Sequence, residues 1–138
     1  MDIIQIIRKE IKKEIKTARL PIKLIYIYGS YAKGKEKEGS DIDIAVLFDE
    51  IEYSKNPLTA LEMIHDTAVK IERLIKKDVD IHILNRASLI YSYVVVTTGI
   101  PAYMSSKTEL YRYQNKVLGM FFDFKPFFEK YISTYVGI

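Results

Sequence analysis

At 138 residues the chain is the size of one ordinary domain, and with about half its residues apolar and 28% charged it has a globular balance, not a disordered one. Twenty-one basic against 18 acidic residues leave a net charge of +3, too small and too evenly spread to mark direct nucleic-acid binding. The absence of cysteine excludes disulfides and thiolate metal sites, and two histidines, His65 and His82, are too few for a histidine-rich zinc site.

No run approaches the ~20 apolar residues that cross a bilayer. The opening MDIIQIIRKEIKKEIK interleaves charge throughout and lacks the layout of a signal peptide, so a cytoplasmic protein without membrane attachment is expected. Heavy use of Lys, Glu, Ile and Tyr is compatible with a thermophilic source.

Ile4, Ile7, Ile11 and Ile15 fall at helical spacing over residues 2–17, with Arg8, Lys9, Lys12 and Lys13 on the other faces, which predicts an amphipathic helix lying on a sheet. After Pro21, IKLIYIY (22–28) is apolar and β-rich, a buried strand that stops at Gly29-Ser30. The polar stretch YAKGKEKEGS reads as a loop or a single helical turn. DIDIAVLF (41–48) is a second strand.

Beyond Asn56-Pro57, Leu61, Ile64, Ala68, Ile71 and Ile75 step by three and four, marking a helix that ends at Lys76-Lys77. VDIHIL (79–84) is a third strand. ASLIYSYVVVTTG carries a β-branched run, but its length and terminal Gly99 favour a helix. Residues 101–104 add a short edge strand. Ser106 and Glu109 have capping-box spacing and open a last helix over about 107–134, which Gly119 and Pro126 are expected to weaken or bend. No repeat, low-complexity segment or linker interrupts the chain. The sum is one α/β domain spanning 1–138, a small mixed sheet flanked by helices.

The chemistry concentrates where the first strand meets the second. Strand side chains alternate, so Asp41 and Asp43 project to one side while Ile42, Ile44 and Val46 go to the other. Two carboxylates one strand repeat apart make a hard oxygen corner suited to Mg²⁺, and their mutual repulsion is relieved by a cation. Gly29 permits close approach of backbone to a ligand, and the Ser30 hydroxyl with nearby N–H groups suits phosphate oxygens. Lys33, Lys35 and Lys37 line the intervening loop, where they would steer or neutralise phosphates. An Asp-x-Asp pair alone is common as solvated surface; its combination with Gly-Ser, each at the end of an apolar strand, points to metal and phosphate. Gly29-Ser-Tyr-Ala-Lys-Gly34-Lys35-Glu36 also mimics a P-loop, but Glu36 stands where Ser or Thr must ligate Mg²⁺, and a strand follows instead of a helix, so that reading is rejected.

A third carboxylate is expected where two metals activate a hydroxyl for attack on phosphorus. Asp80 is chosen over Asp78 because it lies inside the apolar run of its strand, where an unpaired carboxylate is costly without a function. Asp78 follows two lysines at a turn and is expected in solvent. His82 shares the Asp80 face, and an ordinary surface or core role is favoured for it; His65 is given none. The eleven tyrosines are read mainly as core and interface, with Tyr31 near enough to Ser30 to flank a pocket.

GSYAKGKEKEGSDIDIAVLF resembles the signature of the polymerase-β-type nucleotidyltransferases, Gly-Ser followed by ten residues and Asp-x-Asp. The whole chain is similar to the minimal (MNT) branch, and within it to the MntA-type antitoxins of HEPT/MNT toxin–antitoxin systems. The likeness rests on compact length, Asp80 in a third strand, Gly99 before a short strand, and a last helix containing FFDFKPFFEKY. It implies a polymerase-β palm-like fold and a protein adenylyltransferase that moves AMP from ATP to a tyrosine of a HEPT-domain toxin, releasing pyrophosphate and neutralising the toxin within a hetero-oligomer. It further implies that Gly29 and Ser30, joined by Lys33 and Ser40, bind the nucleotide. Asp41 and Asp43 would ligate Mg²⁺, two ions in all, and Asp80 the second metal or the incoming hydroxyl. Two rival readings stand beside this one. The first is a small-molecule nucleotidyltransferase of the aminoglycoside type, which usually needs a further helical domain. The second is a module that neutralises its partner by contact alone, through the strongly apolar run 117–128.

Overall fold

The computed structural model describes residues 2–29, 31, 32, 34 and 39–135. Asp2 opens α1 (Ile3–Ala18) with a reciprocal cap, its carboxylate accepting from the Gln5 N–H and the Gln5 side chain from the Asp2 N–H. Arg19 ends the helix in the left-handed region, and the chain enters β1 (Ile22–Tyr28). β1 pairs antiparallel with β2 (Ile42–Phe48) and with β4 (Ile100–Met104), while β3 (Val79–Ile83) runs parallel to β2. The order β3-β2-β1-β4 puts β3 and β4 at the edges of a mixed four-stranded sheet. The parallel β2–β3 pair requires a crossover, supplied by α2 (Glu50–Lys55) and α3 (Pro57–Ile75). α4 (Leu89–Thr98) and the 29-residue α5 (Lys107–Tyr135) flank β4.

Strand alternation divides the core in two. On one face Ile25, Ile27, Ile42, Ile44, Val46 and Phe48 pack beneath the apolar stripes of α1 and α3, including Ile7, Ile11, Ile64 and Ile71. A Lys70–Glu14 ion pair, with Nζ 3.0 and 3.1 Å from the two carboxylate oxygens, ties those helices together above the core. On the other face Leu24, Tyr26 and Tyr28 of β1 meet Val95 of α4 and Leu110 of α5. Gly99 lets α4 turn into β4 close against β1: a Cβ there would stand 2.5 Å from the Val95 carbonyl oxygen and 3.1 Å from the Tyr26 ring. This second helical layer covers β1 and β4. The β2–β3 half of the same face carries Asp43, Asp80 and His82, and the last two are exposed.

Several expectations need amendment. α2 was not anticipated; Asp49 caps it, accepting from the Glu52 N–H, directly after β2. The third strand ends at Ile83, one residue early, because Leu84–Arg86 forms a 3₁₀ turn and the Asn85 amide takes over the pairing of Phe48, bonding both its N–H and its carbonyl. α5 continues through Gly119 and Pro126 as one helix, and both fall on exposed positions where a missing side chain or N–H disturbs no packing. The burial argued for Asp80 is wrong: β3 is an edge strand, and Asp80 and His82 on its one face are both exposed. Among the described residues no helix is long and apolar enough to cross a membrane.

Candidate active site

Register fixes the arrangement. Tyr28 on β1 pairs with Asp43 on β2, and Asp43 with Asp80 on β3, so phenol, carboxylate and carboxylate stand in one row across three strands. Asp41 immediately precedes β2 and is exposed, one strand repeat from Asp43 on the same side. At the end of β1, Gly29 adopts φ +77, and its Cα lies so near the Asp43 carboxylate that any Cβ would collide with Oδ2. The β1 turn and the Asp43 carboxylate are therefore built as one unit.

Asp43 is half-buried, and its carboxyl is pushed above the ordinary range, first by burial and then by the negative charge of Asp80, with Asp41 adding to it and His82 opposing it. Repulsion among close carboxylates is the electrostatic signature of a place that favours a cation. Tyr28 is driven strongly upward by burial, by its hydroxyl-to-hydroxyl hydrogen bond with Tyr91, and by the charges of Asp43 and Asp80. It remains a neutral phenol at physiological pH.

Of the residues singled out in the sequence, Gly29, Asp41, Asp43 and Asp80 converge at the upper end of the open half-face. Ser40 is half-buried beside Asp41, where it helps line a polar groove of about 620 Å³. Ser30, Lys33, Lys35 and Lys37 lie outside the described residues. Tyr31 is a core residue, 9% exposed, with Lys77 Nζ 5.9 Å from its ring centroid. Asp78 is exposed, as expected, and its carbonyl accepts from the Ile42 N–H at 2.9 Å.

Sequence reasoning missed two groups. Lys76 and Lys77, read only as the end of a helix, and Arg73, given no role, border the groove beside Asp41 together with Glu72 and Asp78. Tyr91, read as helix filler, brings its ring within 5.7 Å of Tyr28 and 5.6 Å of His82. The spacing of Lys76-Lys77 just ahead of β3 could have signalled the first; nothing local in the sequence signals the second.

Among the described residues no three carboxylate or imidazole groups converge into a preformed metal cage. Mg²⁺ does not require one, since it is commonly held by one or two carboxylates together with substrate phosphates and water. The hard oxygen donors of Asp41 and Asp43, with Asp80 adjoining, fit that ion.

Comparison with known proteins identifies the family and the fold. The family model described as polymerase beta, nucleotidyltransferase, matches residues 9–108. A protein adenylyltransferase MntA from Aphanizomenon flos-aquae is 32% identical over 101 residues, covering 70% of this chain and 67% of the relative. One of the same name from Shewanella oneidensis is 34% identical over 97 residues, covering 70% of this chain and 59% of the relative. The matched stretch thus spans about two thirds or less of these curated relatives. A crystal structure of a toxin–antitoxin with AMP-PNP superimposes with a TM-score of 0.67 at 26% identity, covering 92% of this chain and 96% of that one.

Proposed function

The chain belongs to the polymerase β nucleotidyltransferase family, and from that premise we propose that it is an antitoxin that transfers AMP from ATP to a tyrosine hydroxyl of a HEPT/HEPN-type toxin. Its relatives' name, protein adenylyltransferase, supports the reaction class. The observation that carries the reading is the Tyr28–Asp43–Asp80 row with Asp41 at its head, which runs from the helix-covered β1 to the exposed Asp80 at the sheet edge.

In this mechanism the tyrosyl oxygen forms a bond to the α-phosphorus of ATP, the bond from that phosphorus to the bridging oxygen breaks, and the electron pair leaves with pyrophosphate. A tyrosine with a reference pKa near ~10 is a poor nucleophile at neutral pH. Asp80, exposed at the edge strand, is the group placed to take or relay its proton. Gly29 admits the triphosphate close to the backbone, with Ser30, Lys33 and Ser40 completing the nucleotide contacts. Asp41 and Asp43 would hold Mg²⁺, and Asp80 would hold a second ion where it does not itself take the proton. Such ions neutralise developing charge on the phosphates. Arg73, Lys76 and Lys77, interleaved with Glu72 and Asp78 in the groove beside Asp41, would offset charge on the departing phosphates. Positioning and electrostatics account for most of the acceleration in such transfers.

The test is AMP transfer from α-labelled ATP to the co-purified toxin. Asp41→Ala with Asp43→Ala should reduce labelling by at least ~10³-fold, as loss of charge-stabilising groups does elsewhere. Undiminished labelling would remove these residues from the site. A second reading, neutralisation by contact alone, draws on the exposed aromatic residues of α5, Phe122 at 57% and Phe127 at 72%. A double variant that no longer labels the toxin yet still silences it would favour that reading.

A further inference from the structure

His82 has no part in the mechanism above, although it stands two residues below Asp80 on the same face of β3. Its register partner on β2 is Ala45, the smallest residue on that face of the strand, so nothing on β2 rises in front of the imidazole. The Tyr28 ring meets it edge-on at 5.9 Å and 70°, and the Tyr91 ring lies 5.6 Å away at 41°. The two tyrosine hydroxyls are hydrogen-bonded to each other, which holds both rings in place. Below this wall, His82, Ile83, Ala87, Ser88 and Tyr91 line a shallow, open hollow of about 280 Å³. Ser88 caps α4 by accepting from the Tyr91 N–H at 3.1 Å, fixing the far side of the hollow to a helix.

Two physical arguments identify its occupant. Size is the first: the hollow lies below the ~300–1,000 Å³ typical of sites that enclose a drug-sized ligand, and suits one side-chain ring better than a nucleotide. Direction is the second. In phosphoryl-type transfer the attacking and leaving oxygens lie roughly in line on opposite sides of phosphorus. The Gly29 turn and the groove by Asp41, lined by Arg73, Lys76 and Lys77 together with Glu72 and Asp78, lie at the upper end of the row, where β2 and β3 begin. His82 and the start of α4 lie farther along β3, beyond Asp80. A ring seated there would reach Asp80 from the side opposite the departing phosphates.

We infer that the hollow between His82, Ala87 and Tyr91 is the acceptor subsite, which takes the phenol ring of the tyrosine to be adenylylated and presents its hydroxyl to Asp80. This rests on the proposed transfer to tyrosine and adds where the acceptor binds. The wall contributes edge and face contacts between aromatic rings, worth about 2- to 12-fold in binding each.

The experiment is steady-state AMP transfer to the co-expressed toxin, varying toxin at saturating ATP and ATP at saturating toxin. Three variants are compared with the wild type: His82→Ala, which removes a wall; His82→Phe, which restores a flat ring; and Ala87→Leu, which fills the hollow. Thermal melting verifies that each is folded. His82→Ala and Ala87→Leu are expected to raise the KM for toxin about 3- to 10-fold while the KM for ATP stays within twofold, and His82→Phe to recover most of the loss. A rise in the KM for ATP alone would assign the hollow to the nucleotide and overturn the inference. Unchanged constants for both substrates in folded variants would overturn it as well. Absence of transfer by the wild-type chain would instead remove the underlying reaction, and the subsite with it.

Discussion

Gly29 offers a way to separate backbone strain from damage to the site. Its φ of +77 lies in the left-handed region, where an L-residue costs ~1–2 kcal/mol. Gly34 has a similar φ of +66, but a Cβ there meets nothing within 4 Å among the described residues, whereas at Gly29 it runs into the Asp43 carboxylate. Gly29→Ala and Gly34→Ala should therefore share the conformational penalty. For a chain of this length each is expected to lower Tm by roughly 4–8 °C, taking about 4 °C per kcal/mol. Only Gly29→Ala must also displace Asp43. A shift of ~1 Å in a positioning group costs on the order of 10²-fold in rate. Differential scanning fluorimetry and labelled-ATP transfer, run on both variants, read the two effects independently. Matching melting losses with a ~10²-fold activity gap would support one unit of turn and carboxylate. If Gly29→Ala and Gly34→Ala were equally active to within twofold, the collision with Asp43 would be irrelevant to catalysis, and Asp43 would lose its place in the mechanism.

Asp43→Asn gives a pH test of the crowded carboxylates. A carboxyl whose folded-state pKa is raised binds its proton more tightly when folded, so stability falls as pH climbs from the unfolded value near ~3.9 through the raised folded one. In metal-free buffer Asp43→Asn should then melt higher than wild type at pH 7, the gap closing below about pH 4; a lower Tm at neutral pH would contradict the repulsion. Lys70→Met removes the partner of Glu14, which is only 6% exposed, and should cost about 1–2 kcal/mol in urea denaturation, a value reduced because the lysine itself is half in solvent. Gly99→Ala drives a Cβ into the Val95 carbonyl and the Tyr26 ring without any φ penalty, so a loss of about 1–3 kcal/mol is expected, and a Tm within 1 °C of wild type would show that the α4–β4 corner yields freely.

The elements that bury a regular face were legible from their periodicity. The step of three and four from Leu61 to Ile75 reproduces α3, and the unbroken apolar run Ile22–Tyr28 is β1, buried on both faces between two helical layers. ASLIYSYVVVTTG shows why propensity alone misleads: its β-branched residues sit in α4, where Ser88 caps the start and Ser92 and Val95 turn inward. Short features escaped. α2 has six residues and one buried anchor, Tyr53, which is too little signal for any periodicity, and the 3₁₀ turn at Leu84–Arg86 depends on a contact between Asn85 and Phe48 that spans 37 positions.

The carboxylate row shows how far local reasoning reaches in an active site. Asp41 and Asp43 could be placed on one side because alternation is a property of a single strand. Setting Asp80 beside Asp43 required the parallel register of β2 and β3, which no single segment encodes. The choice of Asp80 rested on burial, yet its side chain is exposed, because an apolar run in an edge strand need bury only one face. That exposure bears directly on the chemistry. A buried third carboxylate would have to be desolvated on folding and would be closed to a macromolecular acceptor. An exposed one at the sheet edge keeps its charge at little cost and leaves the attacking side open. In the proposed transfer, the same edge position that defeats the burial argument leaves the approach open for a tyrosine carried by another protein.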